Sequence, residues 1–117
     1  MKRYTMVVLT NPVAGREAEF NAWYTEKHLY DVIKVPGFIS AQRFKGLREP
    51  GSKEAKFGYL AVYELETDDL DAALKDLEGR YGKPDMSASD SMDPNAYVMV
   101  CETITPVINR SDAASVA

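Results

Sequence analysis

The chain reads as one α+β domain with the element order β-α-β-β-α-β. Three observations predict it. Four short runs rich in β-branched and aromatic residues are bounded by Pro, Gly or polar turn residues. Two segments between them repeat apolar residues at helical spacing. The chain has 117 residues, 45% of them apolar, which suits a single domain with one core.

Arg3 to Thr10 forms the first strand, and Asn11-Pro12 stops it. "NPVAGRE" turns into a helix running from Arg16 to about His28, where Phe20, Trp23 and Tyr24 recur at helical spacing. Val32, Ile33 and Val35 carry the apolar face into a short extra turn. Pro36-Gly37 ends it, because proline disfavours helix in the residue before it and glycine opens a turn. Phe38 to Leu47 is the second strand and Phe57 to Leu65 the third, joined by the polar loop "REPGSKEA" as an antiparallel hairpin. The near-continuous apolar run "FGYLAVYEL" is the pattern of a strand covered on both faces.

The second helix takes its cap from Thr67 or Asp68. It presents Leu70, Ala73, Leu74 and Leu77 on one side and ends at Gly79. Arg80 to Asn95 is polar and rich in turn residues, a long loop of the kind that serves as a lid or is mobile. Ala96 to Thr105 is the fourth strand. The expected domain covers residues 1–106. Residues 107–117 show no periodicity and form a C-terminal tail, flexible or laid across a partner.

This order is the ferredoxin-like split βαβ pattern, a four-stranded antiparallel sheet with both helices on one face. The other face also carries apolar groups, since both parities of Tyr59–Glu64 and Tyr97–Glu102 contain them. An apolar sheet face of that size calls for a partner, and the economical one is a second copy packed sheet to sheet.

Composition narrows the function. The net charge is −4 with scattered basic residues, which gives no nucleic-acid footprint. No apolar run approaches the ~20 residues that span a membrane, and the leading run is too short for a secretory signal, so the expected location is cytoplasmic with no membrane partner. One cysteine and one histidine exclude an intramolecular disulfide and the usual structural zinc sites, and no metal is expected. Cys101 has no activating context and reads as a small buried hydrophobe. No nucleophile elbow, phosphate loop or dinucleotide fingerprint is present.

The candidate site gathers around "FNAWYTEKHLYDVIKVPGF". His28 is the one side chain whose ordinary pKa, ~6.5, lies near neutrality, which makes it the candidate catalytic acid or base. Tyr24 precedes it by one turn on the same helical side, and Asp31, about one turn later, is placed to orient the imidazole. Trp23, Tyr24, Tyr59, Tyr63 and Tyr97 are candidate contacts for a flat aromatic ligand, Tyr59 and Tyr63 sharing one sheet face. Arg43, in mid-strand, either meets an anionic or phenolic oxygen or pairs with Glu64 or Glu102.

With these residues in view, the chain resembles the EthD-like family of the dimeric α+β barrel superfamily. Its members show an aromatic residue, three residues, a histidine, and a Pro-Gly eight residues on. Here Tyr24-x3-His28 and Pro36-Gly37 carry that spacing, with Tyr24 where the family commonly has tryptophan and Tyr30 where it often has proline. The resemblance spans Arg3 to about Thr105. It implies a homodimer through sheet faces, each subunit holding a pocket between sheet and helices. Relatives include cofactor-free monooxygenases, lactone isomerases, polyketide cyclases and haem enzymes, so the fold by itself selects no reaction.

The leading expectation is a small cofactor-independent enzyme of lyase, isomerase or monooxygenase type. It would act on an aromatic or polyketide-like molecule by proton transfer: cyclisation, isomerisation or dehydration. The rivals are a non-catalytic small-molecule-binding protein of the same fold and a haem protein with His28 as axial ligand.

Overall fold

Alternation along the third strand sets the two faces of the sheet. In a computed structural model describing residues 1–116, Ala61, Tyr63 and Leu65 are buried while Leu60, Val62 and Glu64, which alternate with them, are half-buried. Side chains of successive residues point to opposite faces, so one face of this strand carries the core and the other is left open. The expectation of cover on both faces is therefore not met within the single chain.

The elements are β1 (Lys2–Thr10), α1 (Glu17–Trp23), a π-helical turn (Tyr24–His28), α2 (Leu29–Ile33), β2 (Phe38–Lys45), β3 (Tyr59–Thr67), α3 (Leu70–Arg80) and β4 (Tyr97–Glu102). The strands form one antiparallel sheet in the order β2-β3-β1-β4, the ferredoxin-like arrangement. Met6 on β1 lies opposite Tyr63 on β3 and Val100 on β4, and Val8 lies opposite Ala61 and Val98. Directly opposed residues share a face. Phe20, Tyr24, Val32 and Val35 from the first helical segment, with Ala73 from α3, close over that face to make the core.

Several local expectations are corrected. Asp69, rather than Thr67 or Asp68, caps α3: its Oδ1 accepts the Ala72 N–H at 3.0 Å. Thr67 instead accepts the Asp69 N–H through Oγ1 at 3.1 Å. The helix runs through Gly79 and ends where Tyr81 turns extended. Gly37 does make the expected turn, with φ +98°, a conformation that glycine enters at no steric cost. Its carbonyl accepts the Glu66 N–H at 2.8 Å, which ties the turn to β3.

The long loop after α3 is pinned. Met86 and Ser91 are fully buried, the Ser91 carbonyl accepts the Val13 N–H at 2.7 Å, and Arg16 reaches Asp90 through both its carbonyl, 3.1 Å, and its Oδ1, 2.7 Å. Met86 fills the core from a segment that reads as polar, so the loop packs as structure where a free lid would be open. Beyond β4, Arg110–Ser115 forms a short 3-10 turn and Val107 and Ile108 are exposed. Ala117, the end of the expected tail, lies outside the described residues.

Candidate functional site

The helical segment from Glu17 to Ile33 changes register at its centre. The Leu29 N–H bonds to the Tyr24 carbonyl, an i→i+5 bond, so Tyr24–His28 is a π turn set between two α-helical stretches. The consequence for Trp23 and His28 is direct. Five residues along an α-helix turn about 500°, leaving two side chains about 140° apart. The wider π turn brings them into line instead: the indole and the imidazole stack at 4.6 Å between centroids and 18° between planes. Tyr24 meets the same imidazole edge-on at 5.0 Å, and Tyr81, just past α3, meets it from the other element at 5.8 Å.

This aromatic box holds His28 on the wall of a cavity of about 480 Å³ between helices and sheet. The sheet contributes Met6, Val8, Tyr63, Val98 and Val100. The first helical segment adds Tyr24, His28 and Val32, α3 adds Leu74, Leu77 and Glu78, and Tyr81, Met92 and Ala96 complete it. A space of this size suits a small organic molecule.

Electrostatics follow from burial. His28 is 9% exposed, and its Nδ1 has no hydrogen-bond partner. Removal from water disfavours the imidazolium and pushes the pKa down to about 4, with the charge of Asp31 opposing part of that shift. His28 is therefore neutral at pH 7. Burial pushes the Tyr24, Tyr63 and Tyr81 phenols up, so all three keep their protons. The Tyr63 hydroxyl donates to the Tyr24 hydroxyl at 3.4 Å, a long contact at the base of the cavity.

Of the residues picked out by sequence, His28, Tyr24 and Tyr63 come together on the cavity wall. Trp23 backs His28 without lining the cavity, and its indole N–H donates to the Ser87 carbonyl at 3.2 Å. Asp31 is buried beside them, but no hydrogen bond joins it to His28, and its Oδ2 is unpartnered.

Arg43 and Tyr59 form a separate network. Arg43 donates to Thr25 Oγ1 at 2.8 Å and to Asn21 Oδ1 at 3.0 Å, and its guanidinium lies 4.5 Å over the Tyr24 ring. Asn21 in turn donates to the Tyr59 hydroxyl, which donates to Glu17. The expected pairing of Arg43 with Glu64 or Glu102 is thus replaced: Glu64 accepts from Thr5 and Glu102 meets Lys2. Because Asn21 and Thr25 flank the start of the π turn, Arg43 fastens β2 to the segment that aims Tyr24 and His28.

Tyr97 is not brought to the cavity. It pairs with Leu9, which puts it on the opposite sheet face, where it is 52% exposed. Tyr81 and Glu78 line the cavity and were not singled out by sequence. The signal for Tyr81 was present: Leu70, Leu74, Leu77 and Tyr81 continue one helical stripe, which an early stop at Gly79 cuts off.

No family profile matches the chain. It is 29% identical over 91 residues, 72% of its length, to core atranone cluster protein 1 of Stachybotrys chlorohalonatus, and the match spans 37% of that longer protein. Among solved structures, the haem-degrading protein MhuD of Mycobacterium tuberculosis, with two haems in its active site, superimposes with a TM-score of 0.61 at 17% identity over 89% of this chain and 98% of the other. An EthD family protein of Bacillus halodurans gives 0.52 at 17% identity over 89% of this chain and all of its own. A Shewanella loihica protein assigned as a candidate monooxygenase gives 0.57 at 14% identity, over 90% and 97%. The fold is that of the EthD-like and related α+β barrel proteins. The resemblance read from Tyr24, His28 and Pro36-Gly37 thus finds its support in a shared architecture. Among the described residues, no helix is long and apolar enough to cross a membrane, and no cluster of His, Cys, Asp and Glu forms a metal site.

Proposed function

We propose that the protein is a small cofactor-independent enzyme, of lyase, isomerase or monooxygenase type, that binds an aromatic or polyketide-like molecule in this cavity and moves a proton on it. One observation carries the reading: a neutral, desolvated imidazole with a buried carboxylate nearby stands on the wall of a ligand-sized cavity beside phenols that keep their protons. Neighbours named for monooxygenase and haem-degrading roles support an enzyme of this fold, as does the relative named for the core atranone cluster.

At pH 7 the neutral His28 accepts a proton from an acidic carbon or hydroxyl of the ligand. Tyr24, whose hydroxyl accepts from Tyr63, donates its own hydrogen bond to the enolate or phenolate oxygen that forms, the kind of stabilisation that usually contributes most to catalysis. Asp31 favours the imidazolium once it exists. Trp23 and Arg43 act from behind, one against the ring and one on the turn, and Tyr59 steadies Arg43 through Asn21.

The test is turnover. Among cyclisable polyketones and hydroxylated aromatics, at least one should be converted, and His28→Ala should slow it about 10²–10⁴-fold while leaving the fold intact. Conversion indifferent to His28→Ala would contradict the assignment. Saturable binding without conversion would favour the binding-protein reading, which the low basicity of His28 also suits. Haem fits the cavity poorly, because no lysine or arginine lines it to meet the propionate carboxylates, and no step is assigned to it.

The second copy is also part of the proposal. Val7, Leu9, Leu60 and Val62 are half-buried on the sheet face that the helices leave open, with Phe44, Tyr97 and Met99 exposed beside them. Two such faces packed together would cover them, with the segment after β4 crossing to the partner through Val107 and Ile108. Light scattering at micromolar concentration should give the mass of a dimer. A monomer under those conditions would remove the sheet-to-sheet arrangement.

A further inference from the structure

We propose that the cavity selects an uncharged, hydroxyl-bearing aromatic ligand and rejects carboxylates, with Glu78 at its mouth as the selecting group. This rests on the reading of the cavity as a ligand site. The charges around it point one way. Glu78 is the only carboxylate among the lining side chains, and it is exposed, with no hydrogen bond or ion pair among the described residues. Its near neighbour on α3, Arg80, is engaged by Asp76 at 2.8 Å and does not line the cavity. No lysine or arginine does. Tyr24, Tyr63 and Tyr81 remain protonated, and His28 is neutral.

A ligand carboxylate entering this space would lose its hydration and meet no cation, and it would pass the Glu78 charge on the way in. Burying an unpaired charge is costly, and like charges brought together in a site disfavour the wrong partner. A hydroxyl on the ligand's outer end loses little by comparison. It donates to the Glu78 carboxylate in a charge-assisted bond, while the aromatic body packs against the valines, leucines and methionines within. Glu78 thus contributes both the attraction and the exclusion that specificity requires.

The test uses one ring with two substituents, β-naphthol and β-naphthoate, measured by calorimetry at pH 7 on the full chain. The naphthol should bind saturably and the naphthoate about tenfold or more weaker. Glu78→Gln, at an exposed position, should leave the melting temperature unchanged and narrow the preference to about threefold or less. If Glu78→Gln failed to fold, added salt should narrow the wild-type preference by screening the same charge. Equal binding of the two compounds, or a preference untouched by Glu78→Gln and by salt, would overturn selection by Glu78 while leaving the cavity as a ligand site. Binding of neither compound would overturn both.

Discussion

Phe20→Ala is expected to lower the unfolding free energy by about 3–5 kcal/mol, the cost of deleting a buried phenyl ring. Phe20 has no exposed surface and joins the three parts of the structure that shape the site. Its ring meets Tyr24 edge-on at 5.6 Å, packs on Tyr59 of β3 at 5.5 Å, and lies 5.4 Å beneath the Arg43 guanidinium of β2. The neighbours on every side are themselves held, by the π turn, the sheet and the Arg43 bonds to Asn21 and Thr25, so the hole cannot collapse easily. Against a typical total stability of about 5–15 kcal/mol, that loss is large. Urea unfolding monitored by Trp23 fluorescence measures it. Phe20→Leu, which keeps most of the volume, should cost about 1.5 kcal/mol or less. A loss below about 1 kcal/mol for the alanine variant would mean that Phe20 is not the centre of the packing.

Acidification should weaken the fold through His28. The imidazole titrates at about 4 in the folded chain and near 6.5 when unfolded. Between those values the unfolded chain binds more protons than the folded one, so stability rises with pH. Stability is therefore complete above pH 6.5, declines as the pH falls toward 4, and loses no more to this group below that. At about 1.4 kcal/mol per pH unit, the loss across the window is about 3 kcal/mol. Other groups also titrate on acidification, so the informative quantity is the difference between wild type and His28→Asn, whose side chain does not titrate. The two stability curves should diverge between pH 6.5 and 4. Parallel curves would show that His28 is solvated in the folded state.

The β-α-β-β-α-β order was legible because every strand ends in turn chemistry and both helices carry an apolar stripe. The cavity wall was legible in part for the same reason: Tyr63 follows from strand alternation, and Tyr24 and His28 from helical spacing. The π turn was not. Side-chain pattern reports which residues are apolar, whereas the shift from i→i+4 to i→i+5 is a choice of backbone partner, and Trp23 and His28 stack only because of it. Tyr97 was misplaced for a similar reason. Both parities of β4 are apolar, so only the pairing of Tyr97 with Leu9 decides which face it occupies. Arg43 was matched to Glu64 or Glu102 because its actual partners, Asn21 and Thr25, lie about 20 residues away in sequence and are neutral. Met86 and Ser91 were hidden in a polar segment whose burial depends on its anchor to the β1–α1 turn.

The claim that His28 is a desolvated neutral base on a cavity wall is tested most directly by its own titration. It is the single histidine of the chain, so its imidazole resonances need no assignment among rivals. Followed by NMR in the folded protein, the ring should stay neutral from pH 8 down through 5 and reach its midpoint at about 4. A midpoint near 6.5, the value of a free imidazole in water, would place His28 in solvent and remove the acid–base role proposed for it.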